Sequence, residues 1–552
     1  MPVVKINKGH FNSLLKLRMS DEQLKDQISK LGLEIESMTK DEIEIELSAS
    51  RPDLLDPVGI ARALRYFMHK SDKFHYALDG KKPEITINVS NSVKDVRPFI
   101  AGMVVKGIKL DDTSLQQLMS FTEKFCDTFG RKRNKIAIGI HNLDSIESAD
   151  LSYALADDEK FIPLNSKEKE NFSNILKTNK KGIEYGEAIE QGMHGYPVLK
   201  DSKGVLALIP IINSERTKVI KSTRNLFVDV TGNSEYAIGK SIDMLAAMFI
   251  DMGGAVYPVT TAYGRTKKIY PAMDSGYIFI ALEDIWKGLG VKFDYRAAIS
   301  LANKMGYEAA SVGKRIRFSL PEYRIDIINE QDIIEDIAIA YGYDYIQPIG
   351  LPSYNAGSLE STTLKNRSME SIMIGMGFTQ MMNSYLTNQP VNYEKMDIKK
   401  ERDDEAVAIA NSVNSSISML RTWLLPSLMG NLSKSQHERM PHKLFELDMA
   451  FSVNAAKKVD EEYRIAAVVS DPKANLNDIK AVLEEIMYMN RVKYTVSKCS
   501  HGSFIEGRCG EIKISGKRAG FFGEVHPRVL NNFSIDEPVS AFEINLHALG
   551  IY

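Results

Sequence analysis

The sequence predicts an α+β protein built from several domains. Its 552 residues exceed what one hydrophobic core usually serves, which favours about three to five domains. Hydrophobic residues make up 44% of the chain and charged residues 26%, so there is enough apolar material to fill these cores. Strand-like and helix-like patterns alternate along the whole sequence. We expect four segments, at residues 1–83, 84–265, 270–347 and 350–552.

The charge balance and the cysteines limit the compartment and the partners. The 70 basic and 72 acidic residues give a formal net charge of −2, so a nucleic-acid partner must meet a local basic surface. Cys126, Cys499 and Cys509 are odd in number and irregularly spaced, which favours a reducing compartment over a disulfide framework. No apolar run approaches the about 18 residues of a membrane helix, and the N-terminus lacks a signal-peptide pattern. We expect a cytoplasmic protein without a membrane partner.

Residues 1–83 are predicted to form a small α/β domain. Two stretches alternate apolar and polar residues as half-buried strands do, at residues 3–7 and 42–47. Ser20 and Gln23 have the spacing of a capping box and therefore indicate a helix start. Asp56 precedes Pro57 as an N-cap precedes a first helical residue, which predicts an amphipathic helix over 57–67.

Residues 84–265 mix strands and helices, and polar side chains follow several of the apolar strands. One apolar run, 206–212, leads directly into Asn213, Ser214 and Glu215. Small hydrogen-bonding groups at the mouth of a core are typical of ligand pockets. The other interpretation of such residues is a strand-end turn with an asparagine cap. Two further candidates end neighbouring strands: Thr231, and His141, which is either a titratable site residue or a structural histidine.

Residues 270–347 are predicted to form a winged-helix-like module. Two helices, at 282–289 and 295–305, end at Gly290 and Gly306 as a C′ glycine favours. A strand pair and a third helix follow. The second helix lacks a stripe of positive charge, so we do not expect this module to bind DNA through a groove-reading helix.

The third helix of this module lies in an acid run, residues 324–336. Asp332, Glu335 and Asp336 stand at i, i+3 and i+4, so their carboxylates share one helix face and repel one another unless a cation offsets them. Asp326 can fold back as a fourth oxygen ligand, and hard oxygen clusters of this kind suit Mg²⁺. The alternative is a solvated acidic face beside Arg324. Three isoleucines are expected on the buried side: Ile333, Ile334 and Ile337.

Residues 350–552 are predicted to form an antiparallel sheet flanked by helices. The charged stretch 399–405 is expected to be a solvated loop. The helices are expected at 369–377 and 476–489, and the strands at 443–447, 464–469, 509–514, 519–524 and 539–544.

Taken in order, these motifs resemble the β subunit of phenylalanyl-tRNA synthetase, in the shorter form associated with archaea and the eukaryotic cytosol. Residues 50–55, Ser-Arg-Pro-Asp-Leu-Leu, are similar to its N-terminal signature, and residues 321–345 to its metal-associated module. Residues 213–217 and 229–232 resemble its editing domain. Four stretches resemble its class II synthetase-like core: residues 375–378, 419–428, 444–446 and 521–527.

The resemblance implies a partner subunit and a divided reaction. In this family the β subunit joins a catalytic α subunit in an α2β2 heterotetramer, and the α subunit uses ATP to join phenylalanine to tRNA-Phe. The class II-like core of the β subunit is catalytically silent. Arg421 is retained here, but no arginine-led strand near the C-terminus offers cationic donors for a triphosphate.

The resemblance also implies two sites. Its Mg²⁺ ligands, shared with the α subunit, match Asp326, Asp332, Glu335 and Asp336. Its editing domain hydrolyses mischarged Tyr-tRNA, because a phenylalanine pocket cannot fully exclude one added hydroxyl. We expect water-mediated hydrolysis, with the candidate residues Asn213, Ser214, Glu215, Thr231 and His141.

Two alternatives stay open. One is a free-standing tRNA-editing hydrolase, and the other is a nucleic-acid-binding scaffold of the winged-helix type. A separate class II α chain in the same genome favours the synthetase subunit over both.

Overall fold

A computed structural model gives the fold, and the chain forms two compact units, residues 1–350 and 351–552. The predicted mixture of helices and strands in several domains is confirmed. Among the described helices, none combines the length and the apolar character needed to cross a membrane. The residues described are 2–48, 50–71, 75–80, 82–189, 195–350, 356–398, 406–412 and 414–550.

The first unit begins with a small α/β domain. Its elements are β1 (Val3–Asn7), α1 (Lys8–Leu15), α2 (Asp21–Lys30), β2 (Glu34–Met38), β3 (Glu42–Glu46) and α3 (Pro57–Phe67). The strands form an antiparallel sheet in the order β1-β3-β2, and α1 packs against α3. Ser20 and Gln23 form the predicted capping box. Asp56 caps α3 at Pro57, also as predicted.

A large sheet follows. Its region contains β4 (Thr86–Val89), β5 (Phe99–Lys106), α4 (Asp112–Asp127), β6 (Ile136–Asn142), β7 (Asp150–Ala156), β8 (Lys160–Phe161), β9 (Glu170–Asn171), α5 (Phe172–Thr178), α6 (Lys180–Tyr185), β10 (Tyr196–Asp201), β11 (Gly204–Leu208), β12 (Ile212–Asn213), β13 (Leu226–Gly232), α7 (Glu235–Asp251), β14 (Ala255–Tyr263) and β15 (Thr266–Tyr270). The strand order is β12-β11-β10-β7-β4-β14-β5-β13-β6, with β15 paired to β14.

The large sheet corrects one expectation. The apolar run 206–212 is not one strand: β11 ends at Leu208, and a cis peptide bond at Pro210 precedes β12. Pro210 lacks a backbone N–H and cannot continue the ladder. Helix α7 covers β5, β13 and β14, and every residue of β13 is buried. The polar residues 213–217 begin in β12, which is the edge strand of this sheet.

The last part of the first unit contains β16 (Tyr277–Ala281), α8 (Leu282–Leu289), α9 (Tyr295–Lys304), β17 (Glu308–Val312), β18 (Arg315–Ser319) and α10 (Glu330–Tyr341). The predicted order of helix, helix, hairpin and helix is present, and β16 adds a strand that gives the order β16-β18-β17. Gly290 and Gly306 have φ of +70° and +87°, which accounts for glycine after each helix. One hydrophobic cluster joins these helices to α7 and to the N-terminal domain.

The second unit contains α11 (Ser361–Gly375), β19 (Thr379–Gln380), β20 (Leu386–Thr387), β21 (Met419–Leu420), α12 (Leu425–Lys434), β22 (His442–Val453), β23 (Val459–Ser470), α13 (Leu476–Met489), β24 (Tyr494–Lys498), β25 (Phe504–Ile514), β26 (Lys517–Val525), α14 (Pro527–Phe533) and β27 (Val539–Asn545). Its sheet has the order β19-β22-β23-β27-β26-β25-β24, antiparallel except for β19. Helices α11 and α13 contribute to one hydrophobic cluster, and α12 and α14 to another. The predicted loop 399–405 lies outside the described residues.

Candidate functional site

The acid run does not form a cluster of free carboxylates. Arg324 is 5% exposed, and its Nη2 donates to Asp326 Oδ2 at 2.7 Å while its Nη1 lies 2.7 Å from Asp336 Oδ2. The Tyr307 hydroxyl also donates to Asp336, at 2.5 Å. Burial favours the neutral form of Arg324, but the carboxylates of Asp336 and Asp326 hold its pKa well above the usual value. The cation expected to offset the repulsion is thus Arg324 itself.

A second arginine joins this network from the N-terminal domain. Arg51 donates to both carboxylate oxygens of Asp53 at 2.8 Å, and its Nη1 lies 4.0 Å from Asp336 Oδ1. The loop that carries Asp53 packs closely on α3, where a Cβ at Gly59 would lie 1.7 Å from the Asp53 carbonyl oxygen. The signature 50–55 and the acid run therefore meet as alternating charges: Asp53, Arg51, Asp336, Arg324 and Asp326.

The other two acids have different surroundings. Asp332 completes a capping box with Asn329, and its Oδ2 accepts from the backbone amides of Ile328 and Asn329 at 2.7 and 2.9 Å. Glu335 is exposed and accepts a hydrogen bond from the Tyr343 hydroxyl at 3.1 Å. Burial of the isoleucines of α10 is confirmed, but Asp336 is buried with them instead of sharing an open face with Glu335.

These contacts do not fit a four-carboxylate Mg²⁺ site within this chain. Among the residues that the structure describes, no group of three or more His, Cys, Asp or Glu side chains is arranged to hold a metal ion. Asp326 and Asp336 neutralise the buried Arg324, and Asp332 accepts from the two backbone amides that precede α10, because buried charges and helix ends require such partners. Shared coordination with another subunit stays a prediction.

The polar segment, residues 213–217, lies beside β6. Asn213 is half-buried and donates from Nδ2 to the Ile140 carbonyl oxygen at 3.1 Å. Within the described part of the chain, its Oδ1 accepts no hydrogen bond. Ser214 is 4% exposed, and its hydroxyl accepts from the Arg216 amide at 3.3 Å. Of these two neighbours, Asn213 is the one with a free acceptor near the surface.

Glu215 is held as an anion. Partial burial opposes its ionisation, but the Asn165 amide, at 2.5 Å, and Lys218, at 3.1 Å, lower the pKa of the Glu215 carboxyl below its usual value. Each of these donors binds a different carboxylate oxygen. Glu215 is thus suited to orient a water through its ionised carboxylate, and it is not suited to act as a general acid.

His141 lies in the interior under this segment. Its Nδ1 is 2.8 Å from Thr217 Oγ1, and its Nε2 is 3.1 Å from Asp229 Oδ2. His141, Thr217 and Asp229 are 0%, 1% and 3% exposed, so none presents surface to a substrate. The structure favours the second of the two interpretations of His141: it anchors the 3-10 turn at Glu215–Thr217 to β13.

Thr231 lies apart from the other candidates. Thr231 on β13 pairs with Ala137 on β6, whereas His141 on β6 pairs with Phe227. Four residues of strand therefore separate Thr231 from His141, which corresponds to ~13 Å. Its Oγ1 accepts from Arg97 Nε at 2.9 Å, and its carbonyl oxygen accepts from Arg97 Nη2 at 2.8 Å. Burial lowers the pKa of Arg97 to about 10. The structure brings together Asn213, Ser214, Glu215 and His141, but not Thr231.

Sequence reasoning missed Thr217, Asp229 and Arg97 as partners of the candidate residues. One signal was available for Asp229: Gly139 lies opposite it in the sheet, where a Cβ would stand 2.1 Å from Asp229 Oδ2. A glycine inside an apolar strand often marks such a close approach. The contact of Arg97 with Thr231 spans more than a hundred residues and has no local signal.

The second unit contains a separate set of buried charges. Arg421 is 1% exposed, and its Nη1 donates to Glu446 Oε1 at 2.5 Å while its Nε donates to the Met449 carbonyl oxygen at 2.9 Å. On β27, Glu543 accepts from the backbone amides of Leu424 and Leu425 at 2.9 and 3.1 Å. Burial raises the pKa of the Glu543 carboxyl. Arg421 is thus directed at groups of its own fold.

Four family profiles match the chain in order. They are the Phe-tRNA synthetase beta subunit B1 domain over residues 1–70, the B3/4 domain over 97–247, the tRNA synthetase B5 domain over 278–343 and the phenylalanyl tRNA synthetase beta chain CLM domain over 351–546. The acid run thus falls within the B5 match, and the polar segment within the B3/4 match.

Full-length relatives agree with these profiles. The phenylalanine–tRNA ligase beta subunit of Archaeoglobus fulgidus is 35% identical over 99% of this chain and 98% of its own length. That of Pyrococcus horikoshii is 33% identical over 100% of both. A crystal structure of an N-terminal fragment of the Pyrococcus horikoshii phenylalanyl-tRNA synthetase beta subunit has a TM-score of 0.59 at 31% identity, covering 62% of this chain and 99% of the fragment. The resemblance inferred from the motifs is confirmed: this chain belongs to the phenylalanine–tRNA ligase β-subunit family.

Proposed function

We propose that this chain supports the ATP-dependent attachment of phenylalanine to tRNA-Phe without catalysing it, as the partner of a separate α subunit. The observation that carries this proposal is the buried pair Arg421 and Glu446. Binding a triphosphate requires cationic donors that point at the ligand. Arg421 instead donates to Glu446 and to the Met449 carbonyl oxygen, and Glu543 adds a carboxylate on the last strand. The activation of phenylalanine is therefore assigned to the α subunit.

The same proposal includes the assembly. We propose two copies of each subunit in an α2β2 heterotetramer, in the cytoplasm and with tRNA-Phe as substrate, as the resemblance to this family implies. The proposal that this chain shares Mg²⁺ with the α subunit rests on the resemblance alone. We assign no chemical step to Mg²⁺ on this chain, because Asp326 and Asp336 already neutralise Arg324.

We further propose that the domain around residues 84–265 hydrolyses mischarged Tyr-tRNA. Support comes from the polar segment, where Asn213 offers a half-buried acceptor to a tyrosine hydroxyl or a water and Glu215 is kept ionised. An attacking water must be held in position, and the ionised Glu215 carboxylate can accept a hydrogen bond from it. Thr217 and His141 are enclosed, which argues against a covalent route through that pair.

The experiment compares the purified chain, alone and with the α subunit, in two assays. Phenylalanine-dependent ATP–pyrophosphate exchange is expected only with the α subunit, and the holoenzyme is expected to hydrolyse preformed Tyr-tRNA faster than Phe-tRNA. Robust exchange by the isolated chain contradicts the division of labour. Hydrolysis by a chain that does not bind an α subunit identifies a free-standing hydrolase. RNA binding with neither activity identifies a scaffold.

A further inference from the structure

The outer face of the sheet β16-β18-β17 carries exposed side chains that the proposed function does not use. Tyr277 and Phe279 on β16 are 64% and 38% exposed, and their rings meet edge to face at 5.5 Å between centroids. The opposite face of the same sheet is a true core, where Ile280, Ile316 and Phe318 are each 0% exposed. The two outer rings therefore remain partly open to solvent.

The strand register places two guanidinium groups beside these rings. Phe279 pairs directly with Arg317 on β18, and Ala281 pairs with Arg315. Residues two apart on a strand project from the same face, about 7 Å from one another. Tyr277, Phe279, Arg315 and Arg317 therefore form one continuous patch, which we call the aromatic face. Both arginines are exposed.

The aromatic face is locally positive although the chain as a whole has a formal charge of −2. Within the described residues, neither Arg315 nor Arg317 has a carboxylate within salt-bridge distance. The one acid in this register, Glu308 on β17, lies opposite Ser319 and is 3.0 Å from His75 Nε2. The two guanidinium groups thus have their donors available for an external anion.

We propose that the aromatic face binds unpaired nucleotides of the tRNA, with bases stacked on Tyr277 and Phe279 and phosphates paired with Arg315 and Arg317. Each nucleotide of a single strand offers one flat ring and one phosphate, which is the combination these four side chains complement. A protein partner would have to bring carboxylates to the two arginines. The inference rests on the proposed function only for the identity of the RNA, and it adds a tRNA contact outside both candidate sites.

The experiment measures binding of the holoenzyme to tRNA-Phe and, separately, to a fully base-paired RNA of similar length. One variant combines Tyr277→Thr and Phe279→Thr, because threonine preserves strand propensity while removing the rings. A second combines Arg315→Gln and Arg317→Gln. The matched controls are Arg296→Gln, at an exposed arginine on α9 of the same module, and Tyr488→Ala, at a tyrosine on α13 that is 75% exposed.

The ring variant is expected to bind tRNA-Phe about 25- to 10,000-fold more weakly, because stacking of one base on each of the two rings contributes about 5- to 100-fold. The arginine variant is expected to reduce the salt dependence, with a log–log slope about 1.4 smaller for two lost contacts to single-stranded phosphates. The controls and the base-paired RNA are expected to show little change. ATP–pyrophosphate exchange does not require tRNA, so it is expected to be the same in all variants.

Three results overturn the inference. The first is an unchanged tRNA affinity in both double variants. The second is an equal loss for the base-paired RNA, which indicates general electrostatic attraction. The third is loss of the α subunit on purification, which identifies the aromatic face as a protein contact. If the parent holoenzyme binds no tRNA while exchanging pyrophosphate normally, the proposed tRNA substrate is wrong, independently of the variants.

Discussion

The acid run and the polar segment have similar sequence signals but different surroundings in the structure. Both place several polar side chains within a few residues of one another. In the acid run, Asp336 is 4% exposed and pairs with Arg324, whereas in the polar segment Asn213 and Glu215 remain half-buried at the edge strand. The difference shows that burial and intramolecular partners, more than residue type, decide which groups can still meet a ligand.

The physical reason for the difference is desolvation. A charge in the interior must be paired and hydrogen-bonded, and the pairing then occupies the lone pairs that a metal ion would use. The acid run lies where α10 meets the loop of Arg51, so its inner carboxylates serve the fold. The polar segment begins in an edge strand, where water reaches the half-buried Asn213 and Glu215, so pairing within the protein is not obligatory for these two.

Replacing Arg324 with methionine is expected to have the largest effect. The change leaves the buried Asp336 with only the more distant Arg51, and removing one partner of a buried ion pair costs about 3–5 kcal/mol. The measurement is the free energy of unfolding in urea at neutral pH. Arg296→Met, at an exposed arginine of the same module, serves as the control and is expected to stay within about 0.5 kcal/mol. Equal stabilities for the two variants would mean that the network does not hold the domains together.

Thr217→Val tests the interior partner of the polar segment. Valine has a similar shape but leaves Nδ1 of His141, which is 0% exposed, without its hydroxyl partner. We expect a loss of about 1–3 kcal/mol in unfolding free energy, the cost of one unsatisfied buried polar atom. Thr217→Ser keeps the hydroxyl and is expected to recover most of it. If serine is as harmful as valine, packing of the methyl group and not the hydrogen bond is what matters.

Asn213→Ala and Glu215→Ala test the surface of the same segment. Each is expected to slow hydrolysis of preformed Tyr-tRNA by roughly ten- to a hundredfold while sparing phenylalanine charging, since about 1.4 kcal/mol corresponds to a factor of ten. The assay uses parent and variant holoenzymes under identical conditions. Lys203→Ala removes an exposed lysine charge of the same sheet region that pairs with Glu147 and not with Glu215, and it serves as the control. Parental rates in both test variants would exclude these two residues from the editing site.

Local signals in the sequence predicted local structure well. The strand Val3–Asn7 and the helices Pro57–Phe67 and Leu476–Met489 have the predicted bounds, because alternation, an N-cap followed by proline and helical periodicity are each determined by neighbouring residues. Helix α11 begins at Ser361, before the predicted 369, because its first turns have no apolar stripe to mark them.

Contacts between segments that are distant in the sequence could not be predicted from the sequence alone. Arg51 and Asp336 lie far apart in the sequence and meet only in the folded chain. The spacing of the acid run therefore could not indicate that Asp336 is already paired with arginine. The same holds for Asp229 beneath His141. Sequence reasoning found residues with the right chemistry, and the structure then separated those that are enclosed from those that are accessible.

Glu335→Gln is expected to have the smallest effect on stability and is the sharpest test of the comparison. Its carboxylate is exposed and, within the described part of the chain, accepts from Tyr343 alone, so the free energy of unfolding should change by less than about 0.5 kcal/mol. Asp336→Asn, in contrast, leaves Arg324 short of a buried counter-charge and should destabilise the fold strongly.

A calorimetric Mg²⁺ titration of each holoenzyme adds a second readout. If Glu335→Gln abolishes Mg²⁺ binding while the fold is intact, the α subunit completes a metal site on the open side of α10. If Mg²⁺ binding is the same in parent and variant, Glu335 is a solvated residue, and the acid run acts through the arginines that it neutralises.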